Sequence, residues 1–467
     1  MIQNFAPACS SPQAWARARR HLLSHMVCFG RHTVTGLLRL QDRTQQDWTA
    51  DYRFYAEEHF SQDKLFGAVR AEVQEQLPEL APLVGAMDDS LLRKSGRKVC
   101  GVRYLRDPLS PPFHVNIVRG LRVLQISAAV PQGSEGAARL IPVDFQHAPL
   151  PAKPRKNAPA ALHEAYEQER AKKNINLLGR ERLAFLRQQM DQSGAAQRRL
   201  ILSIDGRFTN STVLKEVPQR TTLIGRVRKD SVLFRPPQKQ PSRGRKRKYG
   251  ARCPTPHELL KDEKVPWQKV EAYAAGQRHT FEIKTLAPVY TKMDKAKKPV
   301  RLVVVKPVRY HLTKSKTDRR EPAFLLCTDP DLPLEKVLQY YLWRWDIEVN
   351  FRDEKTILGV GQAQVRTEAS NQNAPALAVA AYAVLLLAAL KTYGAEGKPE
   401  SFQNPRWDKR KPTKRASTND LRNQLRYELW ASALRTNFRP LCSTRGWDQS
   451  DRKCDLPLDS ALFRSIK

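Results

Sequence analysis

The run Leu200–Ile204 is largely apolar, and an acid, Asp205, follows it directly. A continuous apolar run of this length between polar residues is typical of a strand that is buried on both faces of a sheet. Such strands occur in α/β proteins, in which helices cover the sheet. This feature constrains the fold more than any other in the chain, and it predicts an α/β layer architecture.

Other segments supply the remaining strands of that architecture. Strands are predicted where β-branched and other apolar residues lie between Pro and Gly turns, at 84–87, 99–104, 113–118, 121–130, 222–227, 280–285, 302–308 and 324–326. Helices are predicted over most of 12–73, over 160–190, from Pro333 past Lys355, and over 374–390. Within the first helical region, Thr33 is predicted to cap a second helix that runs through Leu40.

The segment 374–390 is the longest apolar run of the chain, and it is shorter than the roughly 20 residues that span a bilayer. We therefore expect a buried helix and no membrane partner. The first twenty residues contain no continuous apolar stretch, so we expect no secretory signal. The seven cysteines form no C-x-x-C pair, which indicates reduced thiols in a cytosol.

The charge of the chain points to its partner. Lys and Arg number 81 against 47 Asp and Glu, a net charge of +34. Such a charge repels itself in a compact state unless a polyanion neutralises it, and nucleic acid is the obvious polyanion. The alternative is that the arginines are ordinary solvated surface residues. The helices of residues 1–80 suit a helix-turn-helix DNA-binding domain, although any helical hairpin has the same pattern.

Three acids stand out by their position. Asp88 and Asp205 each follow an apolar run, so both are expected at the carboxyl end of a strand, where α/β proteins often place functional residues. Glu348 lies in the helix predicted from Pro333 past Lys355.

Four polar residues of that helix share one face. At about 100° per residue, Tyr341, Arg344, Glu348 and Lys355 project within a stripe about 60° wide. The simple interpretation is an i, i+4 ion pair between Arg344 and Glu348 on a solvated face. The complete spacing, downstream of two strand-terminal aspartates, favours a functional site instead.

These residues resemble the DDE transposases of bacterial insertion sequences, in the group marked by a Y-R-E-K signature. The match comprises Tyr341, Arg344, Glu348 and Lys355, the segment Asp88-Asp89-Ser90 as the Asp-x-Ser pattern of the first acid, and Asp205 as the second acid. The resemblance implies catalytic and metal-binding roles for Asp88, Asp205 and Glu348. It implies DNA contacts by Tyr341, Arg344 and Lys355.

The resemblance also implies a domain organisation. A ribonuclease-H-like core would comprise residues 81–235 and 321–395, interrupted by a β-rich insertion at 236–320 with the basic run at 243–248. A helical DNA-binding domain would occupy 1–80, a looser fit to the family. The resemblance does not cover 396–467, for which the composition predicts a basic region. The expected partners are double-stranded DNA and a second copy of the chain in a synaptic homodimer. The expected location is the bacterial cytoplasm, in association with the nucleoid.

The implied chemistry is consistent with these residue types. Two Mg²⁺ ions about 3.5–4 Å apart can activate the attacking oxygen and stabilise the leaving oxygen of a phosphodiester, with Mn²⁺ as a substitute. Carboxylates are the ligands that Mg²⁺ prefers. Arg344 and Lys355 would bind backbone phosphate, and Tyr341 could donate a hydrogen bond to it.

Some alternatives stay open at this point. Adjacent strand residues point to opposite faces, so either Asp88 or Asp89 is the first catalytic acid, and the Asp-x-Ser spacing favours Asp88. Trp267 is either a core residue or a platform for a flipped base. The chain as a whole is a transposase, a non-catalytic DNA-binding protein derived from one, or a nuclease of the same fold.

Overall fold

The chain divides into two compact units in the computed structural model. The structure describes residues 1–107, 110–111, 114, 116–133, 136–238, 247–294, 298–311, 317–399 and 415–437. Unit 1 comprises Met1–Val69 and Arg352–Lys467, and unit 2 comprises Arg70–Phe351. Four residues of the predicted basic run, 243–246, lie outside the described residues, as do most residues of the predicted C-terminal region.

Unit 2 is built on one large sheet. The strands of this unit are β1 (Leu83–Arg93), β2 (Arg103–Arg106), β3 (Ile117–Pro131), β4 (Ala138–His147), β5 (Leu200–Ile204), β6 (Thr221–Arg226), β7 (Leu233–Phe234), β8 (Gln268–Ala274), β9 (Gln277–Thr291), β10 (Val300–Val305), β11 (Arg309–His311), β12 (Thr317–Arg319) and β13 (Ala323–Cys327). An 11-stranded sheet has the order β2-β3-β1-β5-β6-β13-β10-β9-β7, with β4 paired to β3 and β8 paired to β9. Strands β11 and β12 form a separate pair.

The sheet is mixed. β1, β5 and β6 run parallel to one another, whereas β3 pairs antiparallel with β1, and β13 pairs antiparallel with β6. Parallel strands need crossover helices, which is why the apolar run Leu200–Ile204 is buried along its whole length. The predicted α/β class is confirmed. A large mixed sheet of this kind fits a ribonuclease-H-like nuclease domain.

The helices of unit 2 lie between these strands in sequence. They are α5 (Ala160–Lys172), α6 (Ile175–Gln192), α7 (Ser211–Leu214), α8 (Pro256–Lys261) and α9 (Leu334–Trp343). Two further helices contain the boundaries between the units, α4 (Gln62–Glu75) and α10 (Trp345–Thr356). Apolar residues of α9 and of the first half of α10 pack with those of the sheet in one buried cluster that includes Val337, Ile347 and Ile201.

Unit 1 is helical. Its elements are a 3₁₀ helix (Ile2–Ala8), α1 (Pro12–Val27), α2 (Val34–Leu40), α3 (Thr49–Ala56), α11 (Glu368–Tyr393) and α12 (Thr418–Asn437), together with parts of α4 and α10. The Thr33 side chain accepts a hydrogen bond from the amide of Gly36, 3.0 Å away, so the predicted cap is confirmed. Helix α12 lies in the region that sequence reasoning left without a pattern.

Helix α11 contains the apolar run at 374–390. By length and composition it could cross a membrane, but 94% of its apolar window is buried inside the fold. Its neighbours α1, α3 and α12 pack against it. The prediction of a buried helix is confirmed for this segment.

Several predicted boundaries were wrong, for identifiable reasons. Strand β4 was missed because Pro142 interrupts its pattern; the structure tolerates this proline where the β3–β4 register shifts between Ile126 and Ser127. The helix predicted over 160–190 is two helices, because the Asn174 side chain caps the start of α6. The strand expected at 99–104 begins only at Arg103.

Candidate active site

The parallel pairing of β1 with β5 brings two of the predicted acids together. The last register pair is Met87 with Ile204, so the next residue of each strand is an aspartate, Asp88 or Asp205. Neighbouring strands lie about 4.8 Å apart, so the two aspartates lie on adjacent strands at the same level of the sheet. Asp205 ends its strand as predicted. Asp88 does not, because β1 continues to Arg93 by antiparallel pairing with β3.

The predicted helix from Pro333 past Lys355 is broken at Arg344. Helix α9 ends at Trp343 and α10 begins at Trp345. The amide of Arg344 donates to the carbonyl of Tyr341 at 3.2 Å, and the amide of Ile347 donates to the carbonyl of Arg344 at 3.0 Å. Both hydrogen bonds join residues three positions apart, as in a 3₁₀ helix, which is wound more tightly than an α-helix. The projection of four residues onto one straight helical stripe was therefore wrong in detail.

The break places the Arg344 guanidinium between two of the acids. Its Nη1 lies 3.3 Å from Oδ2 of Asp88, and its Nη2 lies 3.3 Å from Oε1 of Glu348. Only 12% of the arginine side chain is exposed, and its Cζ lies 5.6 Å from the ring centre of Tyr341. The i, i+4 pair considered for a solvated face does form, but it is one half of a bridge to a carboxylate on the sheet.

Burial and mutual repulsion set the charge of this cluster. Burial and the nearby charge of Asp205 raise the pKa of Asp88 to about 7, against the opposing effect of Arg344. Burial alone would lower the pKa of Arg344, but Tyr341, Asp88, Glu348 and Asp205 together raise it above its usual value. The cluster therefore contains one firmly protonated cation amid an excess of acidic groups.

Asp89 belongs to a separate ion cluster. Its Oδ2 accepts from Arg122 Nε at 2.8 Å, and both of its carboxylate oxygens lie within 3.2 Å of Arg207 Nη1. Its pKa is nonetheless raised, mainly by burial. Two arginines thus hold Asp89, whereas Asp88 contacts Arg344.

Sequence reasoning missed Arg122 and Arg207. Arg122 pairs with Leu91 in the register between β3 and β1, which makes it a diagonal cross-strand neighbour of Asp89 within reach of a long side chain. Arg207 comes two residues after Asp205 in an Asp-Gly-Arg segment, and that proximity was the signal available in the sequence.

Hydrogen bonds fix α9 and α10, the two helices on either side of Arg344. The Ser203 hydroxyl donates to the carbonyl of Tyr340 at 3.0 Å, which ties β5 to α9. The Trp343 indole donates to the carbonyl of Gly136 at 3.2 Å. The buried Asn350 amide donates to Ser127 Oγ at 3.2 Å and to the carbonyl of Leu140, which ties α10 to β3 and β4. The supports on both sides of the break come from the sheet and its turns.

The donors at this place suit a hard divalent cation. Carboxylate oxygens are the ligands that Mg²⁺ prefers, and the repulsion between Asp88 and Asp205 is the kind of charge that such an ion offsets. Within the described residues, however, no three His, Cys, Asp or Glu side chains form a group that could hold a metal ion. Asp88 and Asp205 lie side by side, whereas Glu348 meets Asp88 through the guanidinium of Arg344.

The remaining predicted site residues have distinct surroundings. Lys355 lies in the last turn of α10, in the part of that helix that belongs to unit 1. Trp267 is half-buried, and its ring centre lies 4.5 Å from Lys284 Nζ and 5.2 Å from Lys306 Nζ.

One known family matches the chain. The sequence model of the family described as "DDE superfamily endonuclease" matches residues 4–285, which is more than half of the chain. The matched span includes Asp88 and Asp205 and ends before Glu348. No curated protein matches the chain.

Proposed function

The chain belongs to the DDE superfamily of endonucleases, and from this premise we propose that it is a DNA transposase. Transposase or nuclease activity on DNA is what the family indicates. The finer proposal is that the protein binds the ends of its element, cleaves them by hydrolysis, and joins the freed 3′ hydroxyl to target DNA by transesterification.

The observation that carries this proposal is the position of Asp88 and Asp205 directly after the last pair of the parallel register, with Glu348 linked to Asp88 through Arg344. We propose Asp88, Asp205 and Glu348 as the catalytic, metal-binding acids. Enzymes of this family generally use divalent metals, and Mg²⁺ held here would neutralise charge on the phosphate and activate the attacking oxygen, with Mn²⁺ as a substitute. Asp88 is preferred to Asp89 because the carboxylate of Asp89 is already held by two arginines.

The basic residues of the signature are proposed to bind the DNA backbone. Arg344 presents a planar donor fork that suits phosphate, and Tyr341 supports that fork through its ring. Lys355 supplies a point charge further along α10. The net charge of +34 supports a polyanionic partner for the chain as a whole.

The wider organisation follows from the same proposal. Residues 1–80 would bind the element ends, 81–235 and 321–395 would form the catalytic core, and 236–320 would be its insertion. Trp267, beside two lysines, could stack on a base near a phosphate, and core packing is the alternative. Two element ends must be held at once, so a homodimer is expected, and the protein would work at the nucleoid in the cytoplasm.

A strand-nicking assay tests the proposal. Asp88→Ala, Asp205→Ala and Glu348→Ala should abolish Mg²⁺-dependent nicking of duplexes that carry the element end, while binding of those duplexes persists. Asp89→Ala should retain substantial nicking and is the matched control. Full activity in all four variants would refute the catalytic assignment, and loss in Asp89→Ala with activity in Asp88→Ala would move it by one residue.

A strand-joining assay distinguishes a transposase from its two rivals, a nuclease and a non-catalytic DNA-binding protein. Joined products from a pre-cleaved end and a target duplex indicate a transposase, whereas nicking without joining indicates a nuclease. A chain that binds duplexes but neither nicks nor joins them would be a DNA-binding protein.

A further inference from the structure

The guanidinium of Arg344 lies between two of the three acids of the proposed site. It contacts Asp88 on the sheet and Glu348 on α10, one nitrogen to each. The three predicted acids do not converge in the described residues, and this arginine is what stands between two of them. The signature arginine thus has a structural partner on both sides before any DNA is bound.

The contacts of Arg344 are longer than those of another arginine of equal burial. Each is a single contact of 3.3 Å, whereas charge-assisted N–H···O bonds are usually 2.7–2.9 Å long. Arg182 provides an internal comparison, since its side chain is equally buried. It binds Asp144 with two nitrogens at 2.6 and 2.9 Å. Arg182 therefore binds its carboxylate more closely than Arg344 binds either of its partners.

We propose that Arg344 is a displaceable internal cation that competes with a divalent metal ion for Asp88 and Glu348, and that a DNA backbone phosphate releases it. The inference rests on the proposed function and adds a coupling to it. A phosphate attracts the guanidinium with a matching bidentate geometry, so DNA binding draws Arg344 away and leaves the acids to the metal. Metal loading is thereby favoured only when DNA is in place.

The competition has a defined sign. A positive charge a few ångströms from the acids repels a divalent cation and occupies its ligands, so neutralising the side chain should raise metal affinity. If DNA and metal both act on Arg344, each must strengthen the binding of the other by the same factor.

The first test is Mn²⁺ binding to the metal-free full chain at pH 8, measured by isothermal titration calorimetry. Arg344→Gln should bind Mn²⁺ at least about tenfold more tightly than the natural protein. Arg228→Gln is the control, because it removes an exposed arginine that also pairs with an acid, Asp230, and it should leave affinity unchanged. Asp88→Asn, in both backgrounds, identifies which binding event belongs to this site. Equal or weaker binding by Arg344→Gln overturns the inference.

The second test needs no Arg344 variant, so it can overturn the inference even if that variant fails to fold. Duplex DNA should raise the Mn²⁺ affinity of the natural protein severalfold, after subtraction of the signal from Asp88→Asn with the same DNA. In a folded Arg344→Gln protein this gain should vanish. No DNA-induced gain in the natural protein overturns the inference.

The outcomes also separate this inference from the proposed function. Asp88-dependent Mn²⁺ binding that is the same with and without Arg344 refutes only the competition. If neither protein binds Mn²⁺ in an Asp88-dependent way, with or without DNA, the proposed metal site and the competition both fail.

Discussion

Met87 and Ile204 are register partners at the point where the parallel pairing of β1 with β5 ends. That single relationship aligns the two aspartates that follow them, although the residues lie more than a hundred positions apart in the sequence. The two carboxylates repel each other, and the charge of Asp205 contributes to the raised pKa of Asp88. The pairing of β1 with β5 thus brings one half of the candidate site together.

The Asp89 cluster is predicted to position cations for DNA. Asp89→Asn keeps the shape of the side chain but weakens its hold on Arg122 and on the half-exposed Arg207. We expect DNA affinity to fall by about threefold to tenfold, because ordering the freed side chains costs binding energy. Mg²⁺-dependent nicking should persist when the protein is saturated with DNA. Fluorescence anisotropy measures the affinity. Asp230→Asn, which disrupts an exposed pair with Arg228, is the control and should bind normally; equal affinity in the two variants would contradict the prediction.

DNA binding should depend steeply on salt. If Lys and Arg contacts with phosphate dominate, log affinity should fall with log salt by about 0.9 per phosphate contacted. Lys355→Ala should lower affinity for all sequences alike and reduce that slope by about one contact. Titrations of labelled duplex at several NaCl concentrations measure the slope. Affinity that does not change between low and physiological salt would remove the argument from charge.

Gly359 is predicted to be essential for the packing of unit 1. Its φ is +66°, and a Cβ at this position would lie 2.3 Å from the Cβ of His32. Gly359→Ala therefore adds a steric clash to left-handed strain, and we expect a loss of about 3 kcal/mol or more in the free energy of unfolding. Gly194→Ala is the matched control, because its φ is +79° and no atom lies within 4 Å of the added methyl. The control should lose only about 1 kcal/mol; similar losses in urea denaturation would show that the packing against His32 is unimportant.

Unit 1 should lose stability in mild acid. His25 and His32 stack in the interior with ring centres 5.7 Å apart, and burial lowers the pKa of both, that of His32 to about 4. The unfolded chain takes up protons near pH 6.5 while the folded chain does not, so stability should fall as the pH drops from about 6.5 towards 4. The loss should be on the order of 2 kcal/mol per histidine.

Urea denaturation of the full chain at pH 7.5 and pH 4.5 measures this loss. His32→Gln should be less stable at pH 7.5 but should show a smaller fall between the two pH values. His59→Gln changes a partly exposed histidine and should behave like the natural protein. A stability that is independent of pH over this range would contradict the assignment of neutral buried histidines.

Much of the fold followed from local patterns. The strand Leu200–Ile204 coincides with its prediction, the cap at Thr33 forms as expected, and the apolar run at 374–390 lies in a buried helix. Each depends on neighbouring residues in the chain, through continuous apolarity or through a side chain that reaches a nearby amide. The residue types of the proposed site could likewise be identified from the sequence. They are an acid after each of two apolar runs and a spaced set of polar residues.

Tertiary structure decided where those residues meet. The continuation of β1 past Asp88 depends on pairing with β3, and the bulge that admits Pro142 depends on pairing between β3 and β4. The break at Arg344 and its bridge between Asp88 and Glu348 could not be predicted, because the carboxylate that completes the bridge is supplied by a strand far away in the sequence. Sequence by itself determined which groups this protein can use, since residue type and local periodicity are properties of the chain. Which charges face one another was decided only by the packed sheet and helices, because Coulomb interactions depend on distance in space.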